Sequence, residues 1–145
     1  MNTRLLLRMV VFIIAGAASS ALADGTQIVP PAGDVSAFKA ATNIVFTRFM
    51  HEKGKEERFV VSEPKEVAKL LSSISLKQGT PLRDMHEHGA RFQGPSGEII
   101  VSVCPRCFTV HAADGSRVQT YEMPREFYAA FRKLARQHGW TVERK

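Results

Sequence analysis

The sequence predicts an α+β domain: a twisted antiparallel sheet of about five to six strands with two helices packed on one face. Short runs of β-branched and aromatic residues are separated by glycine-containing turns, which is typical of antiparallel strands. Two longer segments place apolar residues at the spacing of one helix face. The order β-β-α-β-β-β-β-α lacks the regular strand–helix alternation of parallel α/β folds, so the α+β class is favoured.

The first three elements are predicted as a hairpin followed by a helix. Residues 43–51 and 58–62 are dense in valine, isoleucine and phenylalanine, and Gly54 lies among charged residues between them. A helix is expected to begin at Pro64, because the first helical position needs no N–H donor. Its apolar positions follow helical spacing: Val67, Leu70, Leu71 and Ile74. This helix should therefore lay one apolar face on the sheet.

The second half is predicted as four short strands and a final helix after a polar loop, residues 77–89. The expected strands are residues 90–93, 98–103, 108–111 and 117–121. Gly94-Pro95-Ser96-Gly97 and Asp114-Gly115 supply turns between them. The final helix is expected over residues 124–138, with Phe127, Phe131, Leu134 and His138 facing inward. Its outer face carries basic residues: Arg125, Arg132, Lys133 and Arg136.

The first residues have the layout of a secretory signal peptide. Arg4 and Arg8 precede a short apolar run over residues 9–18, and Ala21-Leu22-Ala23 forms a small-residue cleavage site. The apolar run is too short to span a bilayer, so stable membrane insertion is not expected after cleavage. The predicted divisions are a cleaved signal at 1–23, a loose N-terminal arm at 24–35 and one domain at 36–145. The protein is therefore expected in the periplasm or secreted.

Charge and motifs narrow the classes of function. Lys and Arg number 20 against 14 Asp and Glu, giving a formal net charge of +6, and the two signs are interspersed. This pattern is typical of a solvated surface, so no nucleic-acid partner is expected. No phosphate loop, dinucleotide fingerprint or hydrolase elbow is present in the sequence. We therefore expect a protein that is not an enzyme, with no catalytic residues.

One constellation carries chemistry: His86, His88, Cys104 and Cys107. If residues 94–97 close a hairpin, the two histidines and the two cysteines come together at its open end. The expected pairs are Phe92 with Ile99, Ala90 with Val101, His88 with Val103 and His86 with Pro105. The spacing therefore predicts a four-ligand site built from two adjacent strands.

Imidazoles and thiolates in this number suit a tetrahedral transition-metal site, with zinc preferred and copper second. Cys104-Pro105-Arg106-Cys107-Phe108 resembles the knuckle half of a zinc ribbon. That resemblance covers residues 104–108 alone, because H-x-H stands where a ribbon has its second C-x-x-C. On this interpretation the protein is a small exported metal-binding protein.

Two alternatives use the same cysteines without a metal. Cys104 and Cys107 are the only cysteines of the chain, and an oxidising compartment favours a disulfide between them. The protein would then be an exported interaction or inhibitor-type protein with an unidentified protein partner. Thiol–disulfide oxidoreduction is the weaker alternative, because the sequence after Cys107 continues as a strand and not as a helix.

Overall fold

The fold class predicted from the sequence is confirmed by the structure, a computed structural model that describes residues 26–50, 53–80 and 87–142. The predicted signal peptide, residues 1–23, lies outside the described residues, as does His86. Within them, one six-stranded antiparallel sheet has the order β2-β1-β3-β4-β5-β6. Its strands are β1 (Asn43–Met50), β2 (Lys55–Val61), β3 (His88–Gly94), β4 (Gly97–Val103), β5 (Cys107–His111) and β6 (Arg117–Glu122). The helices are α1 (Ser36–Lys39), α2 (Pro64–Ser72) and α3 (Arg125–Gln137).

The first hairpin forms where the sequence predicts it, but β2 begins three residues earlier than expected. Lys55, Glu56 and Glu57 continue the ladder with β1, with Lys55 opposite Met50. Charged side chains suit this position because β2 is an edge strand that faces water. Hydrophobic pattern alone therefore misses the charged part of an edge strand.

The helix α2 begins at Pro64, as predicted, and ends at Ser72. Val67, Leu70 and Leu71 are buried, and Ile74 is buried just beyond the helix. These apolar positions belong to the main hydrophobic core. The predicted face of α2 is thus the one that it buries.

The helix α3 places Phe127 and Phe131 in the centre of the core, where both are fully buried. They pack against aromatic side chains of β1, β3 and β5: Phe46, Phe92 and Phe108. Leu134 also packs against the core and is half-buried, whereas His138 is exposed and stacks its ring on Phe59 at 4.2 Å. Ala135 is the buried residue of the last turn, because it lies four residues after Phe131 and eight after Phe127, on the same side of the helix.

Residues before β1 contribute to the fold more than their composition suggests. The short helix α1, which the pattern does not predict, buries Phe38 with its ring edge-on to Phe92 at 5.0 Å. Within the segment predicted as an arm, the Ile28 N–H donates to the Glu98 carbonyl at 2.7 Å. The Glu98 N–H donates to the Thr26 carbonyl at 3.0 Å. Residues 26–28 thus extend the sheet beside β4, where β5 no longer pairs.

The sheet has two unlike faces. On one, here called the helix face, inward side chains of every strand pack under the helices in one core cluster. No helix in the described residues packs on the other, here called the helix-free face. Strand alternation assigns to the helix-free face Val45, Thr47, Phe49, Val60, Gly89, Arg91, Ser102, Thr109 and His111.

Candidate functional site

The backbone geometry predicted for the His–Cys constellation is confirmed in its described part. In the hairpin of β3 and β4, Phe92 lies opposite Ile99 and Ala90 opposite Val101. His88 lies opposite Val103, one residue before Cys104. The turn at residues 94–97 therefore sets the register that the sequence predicts, and brings His88 to the strand end that carries the cysteines.

Cys104 and Cys107 form a disulfide, with their Cα atoms 5.2 Å apart. The Cys107 N–H donates to the Cys104 sulfur at 2.9 Å, and the Cys104 N–H donates to the Cys107 carbonyl at 3.0 Å. Both cysteines are buried, with 7% and 1% of their surface exposed. The C-x-x-C segment is thus a covalently closed turn between β4 and β5.

This turn is also tied to the segment that leads into α3. The Met123 N–H donates to the Arg106 carbonyl at 3.1 Å, and Met123 itself is buried. This backbone hydrogen bond therefore links the disulfide-closed turn to the segment just before α3. A closed disulfide indicates an oxidising, non-cytoplasmic environment.

His88 lies on the helix face. Its ring centroid is 5.5 Å from that of Phe131 and 6.1 Å from that of Trp140. Burial lowers the pKa of His88 below its ordinary value of 6.5, because the charged imidazolium loses its hydration there. Within the described residues, Nε2 of His88 has no hydrogen-bond partner. His88 is thus mainly a packed, neutral side chain.

Arg48 lies beside His88 at the same end of the core. It pairs with His88 across β1 and β3, and its guanidinium lies 5.5 Å from the centroid of Trp140. It also forms an ion pair with Glu57 at 3.2 Å. Burial is the largest cause of the lowered pKa of His88, while the negative charge of Glu87 opposes it and the positive charge of Arg48 adds to it.

Three of the four predicted metal ligands, His88, Cys104 and Cys107, lie in the described residues. By strand alternation Cys107 has the opposite parity to Phe108, which packs in the core, whereas the ring of His88 contacts Phe131 on the helix face. In residues 26–50, 53–80 and 87–142, no three His, Cys, Asp or Glu side chains are placed to hold a metal ion. Because His86 lies outside these ranges, the His86–His88–Cys104–Cys107 site stays a prediction.

A second polar arrangement lies on the helix-free face. The Oγ of Ser102 is 2.5 Å from Nε2 of His111, and Nδ1 of His111 is 3.2 Å from the Gly115 carbonyl oxygen. No sequence motif marks either of these two residues. The turn at residues 104–107 could have predicted this pair. It places β5 beside β4 with Ser102 opposite Thr109, so His111, two residues after Thr109, lies on the same face as Ser102.

The outer side of α3 carries a basic stripe, defined as Arg125, Arg132, Lys133 and Arg136. Arg125, Lys133 and Arg136 are exposed, and the Arg132 guanidinium lies 6.0 Å from the centroid of Tyr128. The described ion pairs all lie elsewhere: Arg48–Glu57, Arg58–Glu56, Lys77–Glu122 and Arg91–Glu98. Within the described part of the chain, the basic stripe therefore lacks carboxylate partners.

A groove of about 500 Å³ runs beside β6 and contains no charged residue in its lining. The lining includes Gly33, Leu76, Gly79, Val118 and Tyr121. Such a lining supplies no acid, base or metal ligand set, so the groove gives no indication of a reaction.

Comparison with models of protein families, with curated proteins and with solved structures finds no match to the chain. Among the described helices, none is long and apolar enough to cross a membrane.

Proposed function

We propose that the protein is an exported binding protein that docks an acidic protein partner through the basic stripe of α3. The observation that carries this proposal is the concentration of four cations on one side of a helix, without a carboxylate partner among the described residues. The Cys104–Cys107 disulfide serves as a structural clasp in this proposal.

Helical geometry supports a continuous surface. Arg125, Arg132 and Arg136 are separated by seven and four residues, which places them in one row along the helix axis. Over eleven residues the row extends about 16 Å, long enough to contact several carboxylates of a partner. The opposite side of α3 is fixed by Phe127 and Phe131, so the row cannot rotate away from solvent.

The arginine content of the basic stripe favours binding to a protein partner over nonspecific association with small counter-ions. Arginine binds carboxylates through two parallel hydrogen bonds, whereas lysine acts as a point charge. Three of the four cations are arginines. An acidic protein segment would offer carboxylates at comparable spacing and would bind with a strong dependence on salt.

A polyglutamate peptide serves as a defined acidic probe for this surface. The test variant replaces Arg125, Lys133 and Arg136 with glutamine. The matched control replaces Lys39, Lys65 and Lys69 with glutamine, which removes the same charge from exposed positions of α1 and α2. We expect the α3 variant to bind the peptide at least about tenfold more weakly at an ionic strength of about 0.02 M, and the control to change little.

Equal weakening in the two variants would show that only net charge matters, and would overturn the proposal. A photo-reactive amino acid at Ala129, which is exposed within the stripe, extends the test to the exported protein in its own cell. Adducts from Ala129 that are lost in the α3 variant, with none from an equivalent probe at Ser72 on α2, support the proposed surface. Adducts from Ser72 in equal yield contradict it.

The second candidate function is zinc binding by the reduced protein through His86, His88, Cys104 and Cys107. One observation favours it: the Cys107 N–H donates to the Cys104 sulfur, where it would stabilise a thiolate ligand. Native mass spectrometry after reduction and zinc addition tests this candidate. Stoichiometric zinc binding that is lost when both histidines are replaced with alanine supports this candidate. Zinc binding that is unchanged by the replacement contradicts it.

A further inference from the structure

Ser102 and His111 form a short hydrogen bond on a face of the sheet that the proposed function does not use. Their Oγ and Nε2 atoms are 2.5 Å apart, and both side chains are half-buried. Ser102 lies on β4 and His111 at the end of β5, where a register shift follows Val110. Strand alternation and the pairing of β4 with β5 place both side chains on the helix-free face.

The partner on the other side of the imidazole fixes its protonation pattern. The Gly115 carbonyl can only accept a hydrogen bond, so Nδ1 of His111 carries the hydrogen. The neutral ring then offers the lone pair of Nε2, and the Ser102 hydroxyl donates to it. A serine hydroxyl donating to a base that a third group orients is the arrangement of an activated nucleophile.

The third group is itself held in place. The turn that contains Gly115 is closed by hydrogen bonds from the Ala112 N–H to the Ser116 carbonyl and from the Ser116 N–H to the Asp114 carboxylate. Nε2 of Gln27 donates to the His111 carbonyl at 2.7 Å. The imidazole is therefore positioned through its ring and through its backbone.

Ser102 has small neighbours on the helix-free face. Gly89 lies opposite Ser102 and has no side chain, and Thr47 lies opposite Gly89 on the next strand. The Thr47 hydroxyl is 2.9 Å from the point where a Cβ of Gly89 would lie, so this hydroxyl already fills the space directly over the glycine. A carbonyl that approaches from solvent above these side chains would have the Ser102 hydroxyl on one side and the Thr47 hydroxyl on the other.

We propose that Ser102 is a nucleophile that His111 activates, and that this pair transfers the acyl group of small carboxylic esters to water. The Ser102 oxygen bonds to the ester carbonyl carbon while its proton passes to Nε2 of His111. The carbon–oxygen bond to the alcohol then breaks, and the alcohol leaves with that proton. Water attacks the acyl-serine in the same way, releases the carboxylic acid and restores the hydroxyl.

Thr47 is the donor to the developing oxyanion in this proposal. Because the site lies on a sheet face and not in a deep cleft, the substrates are small esters with good leaving groups. The proposal is independent of the basic stripe, since α3 lies against the helix face.

The experiment uses a fluorophosphonate probe on the oxidised protein. At a reactive serine the phosphorus–fluorine bond breaks, an oxygen–phosphorus bond forms, and fluoride leaves with the serine proton. We expect peptide mapping to place the label on Ser102, with Ser102→Ala unlabelled and His111→Gln labelled at least about tenfold more slowly. Ser96→Ala, an exposed turn position, serves as the control and should label like the wild type.

Hydrolysis of p-nitrophenyl acetate is measured on the same proteins, with circular dichroism confirming that each variant is folded. Turnover above that of Ser102→Ala, reduced at least about tenfold in His111→Gln and several-fold in Thr47→Val, supports the proposal. Label on other serines only, or a rate that Ser102→Ala leaves unchanged, overturns it. Peptide mapping of the label on the wild-type protein shows whether Ser102 is the reactive serine even if a variant does not fold.

Discussion

His88 and His111 lie on opposite faces of the same sheet, and their surroundings differ in kind. His88 is packed against Phe131 and Trp140, and its Nε2 has no hydrogen-bond partner in the described residues. His111 is half-buried on the helix-free face, and both ring nitrogens lie within hydrogen-bond distance of an oxygen. A histidine close to a cysteine motif can therefore serve packing, whereas a histidine outside any motif can have both ring nitrogens held by hydrogen bonds.

The same contrast extends to the two faces as a whole. The helix face is apolar and nearly continuous, with six phenylalanines that are fully or almost fully buried between sheet and helices: Phe38, Phe46, Phe92, Phe108, Phe127 and Phe131. The helix-free face mixes hydroxyls, charges and two exposed apolar side chains, Phe49 and Val60. Stability should therefore depend on the first face and tolerate change on the second.

The largest difference is expected between two phenylalanines. Phe127→Ala removes a fully buried ring from the helix face, and should lower the free energy of unfolding by about 3–5 kcal/mol. Phe49→Ala changes a ring that is 44% exposed on the helix-free face, and should lower it by about 1 kcal/mol or less. Urea unfolding of both variants measures the contrast, and similar losses would contradict the division of the faces.

Opening the clasp should have the next largest effect. The loop-entropy relation gives about 2 kcal/mol for a disulfide that closes so short a segment. We expect the Cys104→Ser, Cys107→Ser double variant to lose about this much and to remain folded. Unfolding of the wild type with a reductant provides the comparison, and complete loss of structure on reduction would show that the clasp is more than a local support.

Two adjacent valines of β2, one on each face, compare the contributions of the two faces to stability within a single strand. Val61 is 6% exposed on the helix face, and Val61→Ala should lower the free energy of unfolding by roughly 1–2 kcal/mol. Val60 is 54% exposed on the other face, and Val60→Ala should change it by about 0.5 kcal/mol or less. An equal effect at the two positions would mean that something covers the helix-free face in solution.

The smallest expected effect is a dependence on pH that comes from His88. Burial lowers the pKa of His88 below 6.5 in the folded protein, so below that pH the unfolded chain binds this proton more readily. The contribution of His88 to stability is therefore complete above pH 6.5, and is lost as the pH falls from 6.5 toward the folded pKa. Urea unfolding at about pH 7.5 and about pH 5 should show this loss, and His88→Leu should reduce it.

Much of the fold follows from local patterns in the sequence. Alternation and turn residues fix the β3–β4 register, down to His88 opposite Val103, because a slip by one residue would turn Phe92 to the wrong face. The apolar spacing after Pro64 likewise predicts α2. In β3, β4 and α2 the hydrophobic pattern therefore identifies the buried face correctly.

The features that the sequence did not predict depend on contacts between distant segments. Phe38 lies in a helix of four residues that Phe92 and Phe108 stabilise, and so short a helix has no periodic pattern of its own. The Ser102–His111 pair depends on the pairing of β4 with β5 and on the turn that holds Gly115 beside His111. The spacing C-x-x-C is the same for a disulfide and for a metal site, so only the positions of the sulfurs distinguish these two states.

A function carried by surface side chains, and not by a metal centre, requires Cys104 and Cys107 to be joined to one another, because joined sulfurs are not available as thiolate ligands. Intact-mass analysis of the protein purified from an oxidising compartment, under native and then denaturing conditions, tests this most directly. We expect a chain lighter than the reduced form by two hydrogen atoms, with no metal in the native state. Free thiols with stoichiometric zinc would contradict it.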